Sequence, residues 1–152
     1  AKGTLFLAVA ALALRSKSLR LDGIAGAAKT MPWTMAAFVI GAFSLIGIPG
    51  TAGFISKWYL ILAVLERGWL GVALVFAIVV GSLLAVVYVW RVIEAAWFKA
   101  PPADGAATRE APIELLAVIW IAALANIYFG IFTELPISLS SMAAEGLQEL
   151  IP

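Results

Sequence analysis

The sequence predicts an all-α, polytopic transmembrane helix bundle with one discontinuous helix, and three observations lead there. Of its 152 residues 64% are hydrophobic and only 12% charged, whereas a soluble domain of this size carries roughly 25% charged residues to cover its surface. Three stretches, 31–48, 68–90 and 115–133, carry no charge at all. Each is long enough, at about 1.5 Å per helical residue, to cross a hydrocarbon core of about 30 Å. The third observation is the punctuation after residue 48. Pro49 removes an amide donor, and Gly50 and Gly53 weaken helix, so an apolar run is broken where a regular span would continue.

Taken in order, residues 1–14 read as a truncated span, because the apolar run begins at once and is too short to cross alone. A secretory signal is not expected, since no basic stretch precedes the run and no small-x-small cleavage site follows it. The second span is 31–48. The third, 51–66, is the broken one, and such a break is tolerated in a bilayer only where protein or a water-filled cavity satisfies the freed backbone groups. Discontinuous helices in transporters meet that condition, and ion sites cluster at them. Spans four and five are 69–90 and 113–133, and the tail 134–152, whose charges are all acidic, is expected to form a short surface helix. No internal repeat is present, and the chain reads as a single membrane domain.

The charged residues gather in the connections. Residues 15–30 and 66–68 bring five Lys/Arg to one side, against Arg91, Lys99 and Arg109 on the other, a small positive-inside imbalance. A net charge of +1 gives no electrostatic case for nucleic acid as a partner. His and Cys are both absent. That removes the usual ligands of zinc, haem and iron–sulfur clusters together with Cys nucleophiles and Ser-His-Asp triads, so no cofactor, metal or independent catalytic site is expected.

Lys57 is the exception to this charge distribution, as the single charge between residues 31 and 65. A lysine at a helix centre costs about 2.5–3.5 kcal/mol on insertion scales, which makes it a functional candidate by default. A second charge about 7 Å away, at an effective dielectric near 20, acts on it with about 2.4 kcal/mol, enough to load or unload a proton. The competing interpretation is an anchor that snorkels to the interface beside the belt residues Trp58 and Tyr59. Lys2, considered on its own position, is a solvated lysine at a chain end. Asn126 lies mid-helix and is expected to bridge to another helix. Glu114, in the first turn of the last span, suits the helix dipole. Gly41, Gly47, Gly71 and Gly81 read as close-packing positions.

The stretch from Met31 to Leu60, MPWTMAAFVIGAFSLIGIPGTAGFISKWYL, resembles the core of the proton-conducting antiporter family. This family comprises the Mrp-type multisubunit cation/proton antiporter subunits and the antiporter-like subunits L, M and N of complex I. In place of the family's Leu/Ile-Pro-Pro turn followed by Gly-Phe-x-x-Lys, the chain has Ile48-Pro49-Gly50 and then Gly53-Phe54-Ile55-Ser56-Lys57. Gly50 departs from the second proline of many relatives. Ala1 to Leu7 resembles the end of the motif His-Ala-x-x-Lys-x-x-Leu-Phe-Leu, with the histidine upstream of Ala1. The resemblance is strongest over residues 1–98, and the wording Ser56-Lys57-Trp58-Tyr59-Leu60, with Val87 to Glu94, is most like the Mrp-type members.

The resemblance implies that Lys57 is the lysine of the second broken helix, exchanging protons toward one membrane face, and that Lys2 is the mid-membrane lysine feeding it. It implies that the chain is the C-terminal part of one subunit of a multi-pass plasma-membrane protein and does not transport alone. The expected partners are other subunits of a multisubunit membrane antiporter or respiratory complex, the lipid bilayer, protons and monovalent cations. The expected function is proton translocation in a sodium/proton antiporter subunit. The alternatives are an antiporter-like subunit of NADH:quinone oxidoreductase or a related membrane-bound hydrogenase, and a purely structural membrane subunit.

Overall fold

A computed structural model describes residues 1–16, 21–100 and 109–148. Lys17 and Arg20 of the first polar connection, 101–108 of the second and 149–152 of the tail lie outside the described residues. The elements in order are α1 (Lys2–Ser16), a 3-10 turn (Leu21–Ile24), α2 (Ala27–Thr30), α3 (Pro32–Ile46), α4 (Ala52–Leu65), α5 (Trp69–Phe98), α6 (Ile113–Ile131) and α7 (Glu134–Gln148). There is no strand among the described residues. The chain is an all-α transmembrane helix bundle.

The centre of the bundle is α3, which packs against α1, α4, α5 and α6. Its buried positions Thr34, Met35, Ala37, Phe38, Gly41, Ala42 and Ser44 run the length of the helix. Between apolar helices in lipid the hydrophobic effect offers no preference, so contact relies on small residues that let backbones approach. Gly41 does this against α1, where an added Cβ would sit 3.2 Å from both Leu5 Cγ and Thr4 Cβ. The partner stripe on α1 is Thr4, Ala8, Ala11 and Leu12, at the i, i+4, i+7, i+8 spacing of one helix face. On α6 the buried stripe is Ile119, Ala123, Asn126 and Gly130.

Two helix lengths differ from the uncharged runs, each for a stated cause. At 15 residues, or about 22 Å, α3 is shorter than the apolar run 31–48. Pro32 takes its first position and has no N–H to continue the preceding turn, so α2 and α3 are successive helical pieces bent at the fully buried Met31. The turns stay connected, with Met31 N–H donating to Ala27 O at 2.7 Å and Met35 N–H to Met31 O at 3.0 Å. Conversely, α5 runs eight residues past Trp90, to Phe98. Arg91 and Glu94 end the uncharged run but not the helix, because Val89, Ala95 and Ala96 remain buried and Ala95 O accepts the Gly26 N–H at 3.1 Å. At 30 residues, or about 45 Å, it is longer than the hydrocarbon core requires.

The break between α3 and α4 occupies residues 47–51. Gly47 closes α3 in the left-handed conformation at φ 91°, and both its N–H and that of Ile48 donate to Phe43 O at 3.0 Å. Pro49 follows two residues later and Gly50 takes a second positive φ of 86°, a geometry that costs a residue with a Cβ about 1–2 kcal/mol. Thr51 is extended, and its hydroxyl donates to Ile48 O at 2.7 Å.

Candidate functional site

The span expected to be broken, 51–66, is a continuous helix α4, because Pro49 and Gly50 place the break before it, and α4 brings Lys57 back to the end of α3. Its ammonium donates to Leu45 O at 2.8 Å, to Ile46 O at 2.9 Å and to Ser82 Oγ of α5 at 2.7 Å. All three N–H groups are therefore used, with acceptors on two other helices. Ser82 in turn donates to Ile78 O, one turn back on its own helix, at 3.1 Å. The last four carbonyls of a helix have no partner within it, and they form the negative end of its dipole. Lys57 supplies both needs at once. Phe43 O is taken by Gly47 and Ile48, and Leu45 O and Ile46 O by the ammonium.

Glycines give this arrangement its room. Gly47 lies against the Lys57 stem, where a Cβ would stand 3.1 Å from Cδ. Gly53, singled out in the sequence as part of the break, lies in the first turn of α4. Its conformation is ordinary and its function is closeness. An added Cβ there would overlap the Ser44 carbonyl, and the Gly53 N–H donates to Ser44 Oγ at 3.1 Å. Gly130 serves α6 in the same way, since a Cβ would overlap the backbone of Gly50 and Thr51.

A second polar group sits beside the break. Ser44 Oγ donates to Asn126 Oδ1 at 2.9 Å, and Asn126 Nδ2 donates to Thr4 Oγ1 at 3.0 Å and to Ala122 O at 2.8 Å. Thr4 and Ser44 are each 1% exposed and Asn126 7%. With the Gly53 N–H, this chain of bonds joins α1, α6, α3 and α4 in an apolar interior, where unpaired polar groups are costly. A groove of about 310 Å³ lined by Gly3, Thr4, Ala52, Ala122, Asn126 and Phe129 runs alongside it.

Lys2 opens α1 and is exposed. It lines a groove of about 540 Å³ with Phe6, Val9, Phe38, Leu45 and Tyr88. Leu45 is thus common to the two lysines, its side chain in the Lys2 groove and its carbonyl on Lys57.

At the other end of α3 lies a residue that sequence reasoning did not single out. The Glu110 carboxylate accepts the N–H of Trp33 at 3.1 Å, the N–H of Thr34 at 3.3 Å and the Thr34 hydroxyl at 2.6 Å. The N–H of Ala111 adds a contact at 3.3 Å. Trp33 also meets Trp120 of α6 edge-on, with ring centroids 5.9 Å apart. Among the described residues no group of three or more Asp or Glu is arranged to hold a metal ion.

Comparison with known proteins places this geometry. The family described as "NADH:quinone oxidoreductase/Mrp antiporter, TM" matches residues 1–85, which include Lys2, the break, Lys57 and Ser82. The chain belongs to this antiporter family. NADH-quinone oxidoreductase subunit N of Desulforudis audaxviator is 40% identical over 150 residues, covering 90% of this chain and 29% of that protein. Hydrogenase-4 component B of Escherichia coli is 43% identical over 58 residues, 38% of this chain and 9% of that protein. Among solved structures, a chain of the membrane-bound sulfane sulfur reductase, an archaeal respiratory membrane complex, aligns with a TM-score of 0.74 at 36% identity, over 86% of this chain and 21% of that one. The chain therefore spans less than a third of the length of these relatives. The likenesses to subunit N and to a hydrogenase component favour the redox-complex alternative over the Mrp antiporter that the wording around Lys57 suggested.

Proposed function

We propose that this antiporter-family chain carries a proton-exchange site of an antiporter-like membrane subunit in an NADH:quinone oxidoreductase- or hydrogenase-type complex, with Lys57 as the group that takes up and releases the proton. The observation that carries this reading is the seat of Lys57. An anchor that snorkels gives its N–H groups to water and headgroups, whereas this ammonium gives all three to protein acceptors beside a helix break. An intramembrane lysine so held is the arrangement found along proton pathways. Lys2, one groove away across Leu45, is the proposed donor to it. The partners are other subunits of that complex, in the plasma membrane of a cell that couples redox chemistry elsewhere in the assembly to proton movement.

Coupling to sodium rests on the Mrp-like wording around Lys57 alone. The likenesses to subunit N and to a hydrogenase component support the redox-driven reading instead. The test is Lys57→Ala in the full-length subunit within its assembled complex, with proton movement into membrane vesicles followed by a pH-sensitive dye. Loss of proton movement, at unchanged complex content, is expected. Unchanged movement overturns the relay role. Dependence of the residual rate on sodium, measured in the same vesicles, separates the antiport reading from the redox-driven one.

A further inference from the structure

The three acceptors of the Lys57 ammonium are chemically unequal. Leu45 O and Ile46 O are carbonyls, which accept hydrogen bonds and have no proton to give. Ser82 Oγ both accepts from Nζ at 2.7 Å and donates to Ile78 O at 3.1 Å. A lysine that becomes neutral keeps two N–H groups and gains a lone pair. Two carbonyls satisfy the two remaining N–H groups, and the lone pair then needs a donor. Within the site only the Ser82 hydroxyl supplies one.

We infer that Ser82 is the proton-transfer partner of Lys57, the hydroxyl through which its proton leaves and returns; this rests on Lys57 being the proton-exchange group. In the release step one Nζ–H bond breaks and that proton bonds to Ser82 Oγ. The original Oγ–H bond breaks, its proton leaving the Ile78 carbonyl for a water molecule. The products are a neutral amine, an unchanged serine and a protonated water, so charge and atoms balance. The transferred proton, now on Oγ, points back at the Nζ lone pair, while both bonds to α3 persist. Uptake is the reverse, with Lys2, the proposed donor, as the source of the proton that the water passes to Ser82 Oγ. Lys57 changes protonation state without leaving its seat, and α3 keeps a partner on its last carbonyls in both states. Ser82 and Lys57 are each half-buried, and the step takes a water molecule at the open side of the hydroxyl as the proton acceptor.

Among the described residues no other charged side chain on the helices packed against α4 is hydrogen-bonded to this pair. Of those helices, α3 carries no ionisable side chain. On α5 Tyr88, Arg91 and Glu94 follow Ser82 by six, nine and twelve positions, and on α6 the groups are Glu114 and Tyr128. None of these is hydrogen-bonded to Lys57, whose three N–H groups are all accounted for.

The experiment uses the full-length subunit in its assembled complex, reading proton movement in vesicles across pH, with complex content measured alongside. Ser82→Ala is expected to slow proton movement roughly ten- to a hundredfold, the scale of a lost hydrogen bond to a charged group, and to alter the pH profile. Ser82→Thr keeps the hydroxyl and is expected to restore both rate and profile. Should Ser82→Ala fail to assemble, Ser82→Cys, with its weak donor and acceptor, takes its place with the same slowing expected. Wild-type rate and profile in Ser82→Ala, with Lys57→Ala inactive, overturns the inference and leaves the relay reading standing. Equal slowing in the alanine and threonine variants also overturns it, assigning Ser82 to packing. An active Lys57→Ala removes both.

Discussion

The two ends of α3 are finished by opposite charges borrowed from elsewhere in the chain, and they differ in what those charges are free to do. At the N-terminus every backbone donor is accounted for. Pro32 has none, Trp33 and Thr34 give theirs to Glu110, and Met35 gives its own to Met31 O. At the C-terminus Lys57 holds two carbonyls in the same complementary sense. A carboxylate that accepts from backbone N–H groups and a neighbouring hydroxyl is fixed by its donors. An ammonium that shares one bond with a hydroxyl has a route by which its proton leaves. Equivalent capping thus leaves one end held by fixed donors, and at the other it sets the ammonium of the proposed exchange site beside a hydroxyl.

The largest effect is expected from closing the space on the Lys57 side. In Gly53→Ala the new Cβ overlaps the Ser44 carbonyl, and backbone cannot step aside as a flexible side chain would. The helices must part, with a loss of about 3 kcal/mol and a break in the Gly53 to Ser44 bond. Thermal unfolding of the purified full-length subunit in detergent checks this. Gly50→Ala is the control, since nothing lies within 4 Å of its added Cβ and only the positive φ costs, about 1–2 kcal/mol. If both variants melt alike, crowding at Gly53 is not what holds α4 against α3.

A smaller loss is expected at the opposite end. Glu110→Ala removes the acceptor of three backbone N–H groups and a hydroxyl, for about 1–3 kcal/mol. Glu110→Gln keeps one oxygen and is expected to recover part of it. The same unfolding assay reads both, and proton movement measured across pH should keep the wild-type profile in each. A shifted profile in Glu110→Gln would mean that the N-terminal charge acts through α3 on Lys57, and the contrast between the two ends would fail.

The sequence made some of this legible and not the rest, for physical reasons. A bundle of apolar helices with a break is written in composition and in Pro49 and Gly50, because hydrocarbon length and the missing amide donor are local properties. Lys57 stands out because one charge in 35 residues is costly wherever it lies. Its acceptors do not stand out, because two are backbone carbonyls that any residue carries and the third is one serine in the apolar run of α5. Glu110 was equally hidden, 76 residues from Thr34 and inside a connection that reads as surface loop. Gly53 carried the right emphasis for the wrong cause, since sequence suggests conformational freedom where the fold uses the absence of a Cβ.

Asn126 offers the smallest effect and the finest discrimination, because its bonds run close to the Lys57 side without touching Lys57. Its amide links Ser44 to Thr4, and the same Ser44 hydroxyl accepts from Gly53. Asn126→Ala leaves Ser44 with its Gly53 partner and Thr4 without its donor, for a loss of about 0.6–2 kcal/mol, the range of interhelical hydrogen bonds in membranes. Since Ser44 lies one residue before the Leu45 carbonyl, a small shift of the α3 end is the route by which this loss would reach the ammonium. Three bonds hold that ammonium and the Asn126 network supplies none of them, so the proton-movement rate is expected to stay within about threefold of wild type while the melting temperature falls. A larger fall in rate than in stability would show that the Thr4–Asn126–Ser44 chain positions Lys57, and the working end of α3 would then extend across to α1.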